Sequence, residues 1–117
     1  MIDNKMIDNK IALALEEFIE YINKELYFQA HEILEDIWHI AKRVNHPQTL
    51  LIKGLINASI SFEHIKRNRV NSLNSSRVTI QSYYRYKDMN IPSINNYKLF
   101  DKACKIIDTH KYMNIIN

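Results

Sequence analysis

The scarcity of turn residues is the feature that most constrains the fold of this chain. One glycine and two prolines occur in 117 residues, whereas an all-β protein of this length needs many more of both in its turns. The length suits a single domain and allows a core without disulfides or metal. Because no linker or low-complexity segment interrupts residues 1–117, we predict one all-α domain.

Apolar residues recur at helical spacing in five segments, which predicts a compact bundle of about five helices. We expect the first four helices at about 5–23, 27–43, 48–66 and 70–86, and a fifth after an N-cap at Ser93. The third helix is apolar around most of its circumference. It is therefore predicted to be the central, buried helix of the bundle.

Charge and cysteine content favour a cytoplasmic protein that does not cross a membrane. The net charge of +3 is too mild to indicate a class of partner by itself. The longest apolar run without a charge, Gly54–Phe62, is far shorter than the roughly 20 residues of a membrane-spanning helix. Cys104 is the one cysteine, so no internal disulfide forms, and its apolar surroundings predict a small buried side chain.

The first ten residues are two identical copies of the pentapeptide MIDNK. No solenoid has so short a repeat, and we assign the duplication no function. The second copy leads directly into the amphipathic pattern of the first predicted helix.

The second predicted helix carries the most polar chemistry, in the stretch YFQAHEILEDIWH at residues 27–39. His31 and Glu35 are four residues apart and lie beside the apolar stripe, and Trp38 follows one turn later. At about 100° per residue, Glu32 lies further round toward solvent. We therefore expect His31 and Glu35 at a partly buried edge of this helix, with Glu32 at its rim.

A matching polar line runs along the third predicted helix. Lys53, Asn57 and His64 share one narrow face of this otherwise apolar helix, and Arg67 follows near its end. Unpaired polar groups are costly in a core, so these side chains need partners. The nearest candidates lie on the preceding antiparallel helix, and we therefore predict a polar seam between the second and third helices.

Two interpretations of this seam stay open. As a metal or acid–base site, it has His31, Glu35 and His64 as candidate ligands and Glu32 as the candidate proton carrier. The HExxH zinc motif is incomplete, because position 35 holds glutamate instead of the second histidine. As a structural network, the seam has Glu35 orienting the ring of His31, and the spacing alone favours this second interpretation.

A basic segment over 66–87 contains no acidic residue. Its tyrosines add aromatic surface, so it is a candidate site for nucleic acid or a phosphate ligand, with Arg67, Arg69 and Arg77 as candidate anion contacts. A solvated helix face is the commoner explanation of such a charge run. The basic residues are Lys66, Arg67, Arg69, Arg77, Arg85 and Lys87.

Taken together, the stretches YFQAHEILEDIW and LLIKGLINASISFEHIKRNRVNSL resemble the small helical family known as domain of unknown function family 309. That family shows an aromatic pair, then Glu-Ala-His-Glu, Leu-Glu and Trp, then Gln-Gly-Leu-Ile-Gln, a histidine and an Arg-Gly-Asn turn. The resemblance covers about residues 15–85. The matched positions are Tyr27, Phe28, Ala30, His31, Glu32, Leu34, Glu35, Trp38, Gly54, Leu55, Ile56, His64 and Arg67.

The chain also departs from the family pattern. Lys53 and Asn57 stand where the family usually has glutamine, and Asn68-Arg69 replaces the Gly-Asn turn. Asn68 can still form a left-handed cap, so the turn itself is expected to survive. The resemblance implies an all-helical fold, and it implies neither an established reaction nor a metal.

Three hypotheses of function follow from these patterns. The first is a non-enzymatic module that binds a partner or an anionic ligand, with the seam as structure. The second is a metal-dependent or acid–base enzyme of the hydrolase type at the seam. The third is a nucleic-acid-binding or phosphate-binding module that uses the basic segment.

A partly exposed apolar face on the first or the fifth helix is a candidate surface for a homo-oligomer, although no heptad pattern demands one.

Overall fold

Six α-helices follow one another in the part of the chain that the computed structural model describes, residues 3–67 and 72–111. They are α1 (Asn4–Asn23), α2 (Tyr27–Arg43), α3 (Thr49–Lys66), α4 (Ser72–Thr79), α5 (Gln81–Tyr86) and α6 (Tyr97–Lys111), with a short 3₁₀ helix (Lys87–Met89) after α5. No strand occurs among these residues, and the predicted all-α class is confirmed. The predicted cap at Asn68 and the candidate Arg69 lie outside the described residues.

The helix α3 is central, as its apolar circumference predicts. It packs against α2, α4, α5 and α6. Its residues Leu51, Ile52, Leu55 and Phe62 are at most 1% exposed. Full burial of one such side chain stabilises a fold by roughly 1.5–3 kcal/mol, so α3 supplies a large part of the core.

One face of α3 carries small residues, and α4 and α5 approach it closely. A Cβ atom at Gly54 would lie 3.2 Å from Tyr83 Cα and 3.4 Å from Ser82 O, so the backbone of α5 leaves little room for a side chain there. Further along the same helix, Ser61 O accepts a hydrogen bond of 2.6 Å from Ser76 Oγ on α4. The single glycine of the chain therefore permits a helix contact and does not form a turn.

The helix α1 covers α2 on one side and α6 on the other. It begins after Asp3, whose side chain accepts a hydrogen bond of 2.8 Å from Met6 N and so caps the first turn. Ile7, Ile11 and Leu15 follow on its inner face and are fully buried. The residues of α1 that recur at helical spacing in the sequence are thus the ones that are buried in the core.

The prediction of one helix over 70–86 is wrong, because α4 ends at Thr79 and α5 begins at Gln81. Ile80, which is 1% exposed, lies between them and is anchored in the core. Thr79 Oγ1 donates to Ser75 O at 2.8 Å. Hydroxyl side chains that bond to the preceding turn compete with the backbone and bend helices, which accounts for the interruption.

The predicted N-cap at Ser93 is also wrong, because α6 begins at Tyr97. The residue before it, Asn96, has a φ of 63°. Asn95 Nδ2 donates to Asp8 Oδ2 at 2.7 Å, and Asn96 Nδ2 donates to Asp8 O at 2.9 Å. These contacts tie the segment before α6 to α1, so a tertiary anchor delays the start of the helix.

Candidate functional site

The helix α2 places His31, Glu35 and Trp38 along one edge, as their spacing predicts. His31 Nε2 lies 3.5 Å from Glu35 Oε2, and His39 Nε2 lies 3.9 Å from Glu35 Oε1. The side chain of His31 is 17% exposed and that of Glu35 is 44% exposed, whereas Glu32 faces solvent. Glu35 is therefore the shared partner of two imidazoles at a half-open edge.

Two polar atoms at this edge are buried, and neither has a hydrogen-bond partner among the described residues. They are His31 Nδ1 and Trp38 Nε1. The ring of Phe28 packs edge-on against His31, with 5.1 Å between the ring centroids. Buried polar atoms are nearly always paired, and an unpaired one costs about 1–3 kcal/mol. The two unpaired atoms at this edge of α2 therefore lower the stability of the fold, and no described residue supplies the missing hydrogen bonds.

Cations lie over the aromatic rings of α2. Lys53 Nζ on α3 is 4.6 Å from the centroid of the Trp38 ring, and Lys42 Nζ on α2 is 4.8 Å from it. At the opposite end of the interface, Arg67 lies 5.8 Å from the centroid of the Phe28 ring. We call Trp38 with Lys42 and Lys53 the Trp38 site. It holds two ammonium groups within about 5 Å of the centroid of one indole ring, which is a cation–π arrangement.

Neither lysine of the Trp38 site forms an ion pair with a carboxylate in the described part of the chain. Asp36, the nearest acidic residue before Trp38 on α2, is exposed and pairs with neither lysine, and Glu35 interacts with the two imidazoles. The site is therefore a local concentration of positive charge near the end of α2, where Arg43 follows Lys42, whereas the three carboxylates of α2 lie earlier in the helix.

The seam that the sequence predicts is not continuous. Asn57 Nδ2 donates to Ser82 Oγ on α5 at 2.7 Å, so this residue serves the contact of α3 with α5 and not the contact with α2. His64 is half-buried on α3. Within residues 3–67 and 72–111, no hydrogen bond or ion pair joins His31 or Glu35 to α3. The expected network between the two helices is therefore corrected to a cation–aromatic contact at Lys53.

Candidate metal ligands are not gathered together. The described residues contain no group of three or more histidine, cysteine, aspartate or glutamate side chains placed to hold a metal ion. His31, Glu35 and His64, the ligands considered from the sequence, do not form such a group. The pair of His31 and Glu35 is a local contact along one helix.

The basic segment is partly used by the fold. Lys66 Nζ donates to Glu25 O at 2.6 Å, and the Arg67 guanidinium pairs with Glu63 one turn before it on α3. Arg77 and Arg85 are exposed on α4 and α5. Arg67 is therefore less available to an anion than Arg77 and Arg85, because it already contacts the Glu63 carboxylate and the Phe28 ring.

The most buried histidine–carboxylate pair is one that the sequence did not indicate. His46 Nε2 lies 2.7 Å from Asp8 Oδ1, and the side chain of His46 is 3% exposed. Gln48 N donates to His46 Nδ1 at 3.1 Å. Because Nδ1 accepts this bond, the ring proton lies on Nε2 and is donated to Asp8. Gln48 Nε2 also donates to Asn95 O at 2.6 Å, which links the loops before α3 and before α6.

A second buried polar pair joins α2 to the end of α6. Tyr27 Oη hydrogen bonds to His110 Nδ1 at 2.7 Å, and His110 is 6% exposed. Burial lowers the pKa of His110 below 6.5. Local sequence spacing predicts neither pair. Asp8 and His46 are 38 residues apart in the chain, and Tyr27 and His110 are 83 residues apart.

Two further groups near α6 are held in their neutral forms. Tyr83 Oη donates to Cys104 O at 3.0 Å and to Asp108 Oδ1 at 2.8 Å. Burial raises the pKa of Tyr83 well above its ordinary range, and it raises the pKa of the Cys104 thiol to about 11. Cys104 is thus a partly buried thiol that does not ionise at neutral pH.

None of the helices among the described residues combines the length and apolar character that a membrane span requires.

Comparison with known proteins gives one result. The family model described as Domain of unknown function (DUF309) matches residues 15–75, which include all of α2 and α3 and more than half of the chain. No curated protein and no solved structure matches the chain. The match covers the edge of α2 that carries His31 and Trp38, together with Gly54 on α3. This chain belongs to the family Domain of unknown function (DUF309).

Proposed function

We propose that this protein is a non-enzymatic binding module that receives an anionic ligand at the Trp38 site. The observation that carries the proposal is the pair of ammonium groups, Lys42 Nζ and Lys53 Nζ, at 4.8 and 4.6 Å from the centroid of one indole ring. Neither has a carboxylate partner within the residues that the structure describes.

The chemistry of the Trp38 site suits a phosphate or carboxylate group. Both ammonium groups lie over one indole ring, and an anion is the class of ligand that attracts both of them. The indole Nε1 of Trp38 is a hydrogen-bond donor that lacks an acceptor in the described part of the chain. This nitrogen is buried, so the two lysines are the groups that a ligand would contact first, and the ligand that complements them carries negative charge.

The position of the candidate proton carrier supports binding over catalysis. Glu32 is exposed on the outer side of α2. A general acid or base usually owes its tuned pKa to burial or to a charged neighbour in a site that excludes water. Glu35, the other carboxylate of this edge, is 44% exposed and already contacts two imidazoles.

Tryptophan fluorescence tests the proposal directly, because Trp38 is the one tryptophan of the chain. Titration with inorganic pyrophosphate at low ionic strength should give a saturable change in emission. Lys53→Met and Lys42→Met keep most of the aliphatic stem and remove the charge, and each should weaken binding by about tenfold. Lys98→Met, at an exposed position of α6 remote in sequence, is the matched control and should leave binding unchanged.

The same titration on a second variant and a metal analysis of the purified protein separate this proposal from the alternatives. Loss of binding in the Arg77→Ala, Arg85→Ala double variant, with unchanged binding in Lys53→Met, would place the anion site on the basic segment and contradict the Trp38 site. A stoichiometric transition metal in protein purified without added metal would instead favour the enzymatic alternative.

A further inference from the structure

An apolar groove runs between α1 and α2. Leu13 stands on its rim and is 65% exposed, whereas Ala14 and Ile37 at its base are 7% and 5% exposed. Ile33 and Ile40 of α2 are half-buried and form its other wall. The surface thus has a large apolar projection directly beside a depression of apolar side chains, and both face solvent.

The four residues that α1 contributes to this groove form a self-complementary set. They are Lys10, Leu13, Ala14 and Glu17, and they are symmetric about the point between positions 13 and 14. If a second α1 lies antiparallel across a two-fold axis at that point, Lys10 meets Glu17 of the second copy and Leu13 meets its Ala14. The contact pairs opposite charges twice and a large apolar side chain with a small one twice.

The complementarity continues along the same face of α1. The same two-fold axis brings Met6, which is 48% exposed, against Tyr21 of the second copy. It also brings Asp3 near Lys24 of the second copy, at the two ends of the helix. Lys24 already pairs with Glu20 in its own chain at 2.9 Å, so this outer contact is weak. At about 100° per residue, the paired positions fall within a sector of about 100°.

The charges of Lys10 and Glu17 favour an antiparallel over a parallel arrangement of the two α1 helices. In a parallel pair, each residue would meet its own copy, so Lys10 would face Lys10 and Glu17 would face Glu17. Like charges opposite each other are unfavourable. In the antiparallel pair, both lysines meet carboxylates, and Asp36 of α2, which also lines the groove, adds a further acidic group.

We propose that two copies of this chain associate through antiparallel α1 helices, with Leu13 of each copy seated in the groove of the other. The resulting contact is isologous and closes on itself, which is the commonest symmetry of soluble oligomers. It buries the most exposed leucine of the chain without altering the core of either copy.

Sedimentation velocity over a range of concentrations tests the pairing. The wild-type chain should show a concentration-dependent increase from monomer to dimer. Leu13→Asp should abolish the dimer and leave the helical circular dichroism signal intact, because the Leu13 side chain lies outside the core of one copy. Val78→Asp changes a residue that is 74% exposed on α4 and should leave the dimer unchanged. A monomer at all concentrations, or a dimer that persists in Leu13→Asp, would overturn the proposal.

An exchange of charges tests the antiparallel register. Lys10→Glu and Glu17→Lys should each raise the dissociation constant of the homodimer by about tenfold or more. An equimolar mixture of the two variants should recover a heterodimer, since each introduced charge then faces an opposite one. Lys5→Glu makes the same change on another face of α1 and should have no effect. Failure of the mixture to recover association, with both variants folded, would exclude this register.

Discussion

Two histidine–carboxylate pairs of this protein use the same chemical groups in different ways. In the pair of His46 and Asp8, the ring nitrogen and the carboxylate oxygen are 2.7 Å apart and the histidine side chain is 3% exposed. In the pair of His31 and Glu35, the corresponding distance is 3.5 Å and the side chains are 17% and 44% exposed. The first pair joins two distant parts of the chain, and the second lies along one helix.

The difference separates polar groups that stabilise the fold from polar groups that can still bind a ligand. Both nitrogens of His46 have partners, and Asp8 also accepts from the Asn95 amide. At the other pair, His31 Nδ1 has no hydrogen-bond partner in the described part of the chain. A completed buried network is a structural element, whereas an incomplete one at a half-open edge is a candidate for recognition.

The largest expected effect comes from removing the partly buried carboxylate of Asp8, the partner of the buried His46. Asp8→Ala should lower the free energy of unfolding by about 3 kcal/mol, because it leaves the His46 ring proton and the Asn95 amide without their acceptor. Urea denaturation followed by circular dichroism measures the change. Asp3→Ala, in the other MIDNK copy, removes a helix cap and should cost about 1 kcal/mol. Equal losses in the two variants would contradict the structural role assigned to Asp8.

A smaller effect is expected at the second buried pair. Tyr27→Phe removes the hydroxyl that bonds to His110 Nδ1 and retains the ring in the core. The expected loss is about 1 kcal/mol, which is the usual net contribution of one hydrogen bond. Denaturation at pH 7.5 measures it, and Tyr97→Phe, at a half-buried position at the start of α6, is a matched control. A loss no greater than that of the control would show that the buried hydroxyl adds nothing to stability.

The pH dependence of stability tests whether the buried His110 is held in its neutral form. Burial lowers the pKa of His110 below 6.5, so the unfolded chain takes up a proton there before the folded chain does. The contribution of this residue to the free energy of unfolding should therefore be constant above pH 6.5 and should decrease as the pH falls below it. An NMR titration of the His110 ring measures the folded pKa directly, and a value of 6.5 or higher would contradict the effect of burial.

The smallest expected effect is at the pair along α2. A double-mutant cycle of His31→Ala and Glu35→Ala should give a coupling of about 0.3–0.5 kcal/mol, since a pair one helical turn apart with one partner open to solvent contributes little. The same cycle on Asp8→Ala and His46→Ala is the comparison and should give a clearly larger coupling. Similar coupling energies in the two cycles would remove the distinction between a structural pair and an available one.

The duplication at the start of the chain shows what local sequence leaves undecided. Asp3 and Asp8 occupy the same position in identical pentapeptides, yet Asp3 caps α1 and Asp8 binds His46 and Asn95. No property of MIDNK distinguishes the two aspartates. Their roles differ because one precedes the first helical turn and the other lies one turn further in, where the loops before α3 and α6 reach it.

Several features of the candidate site were predictable because they depend on the geometry of one helix. The period of α2 places His31 and Glu35 together and puts Glu32 outside. The partner of Asn57 was not predictable in the same way. Its side chain turns to Ser82 because the small residues of α3 let α5 come close, and no pattern in either helix specifies that approach.

The sequence by itself determined the helical class, the central position of α3 and the face that each long helix buries, because these follow from apolar periodicity within one segment. Tertiary structure alone decided which polar groups are satisfied, where the predicted fourth helix breaks and where α6 begins. Those outcomes depend on hydrogen bonds between residues many positions apart, such as Asp8 with His46 and Tyr27 with His110. The pairing of such groups is fixed only when whole helices have packed.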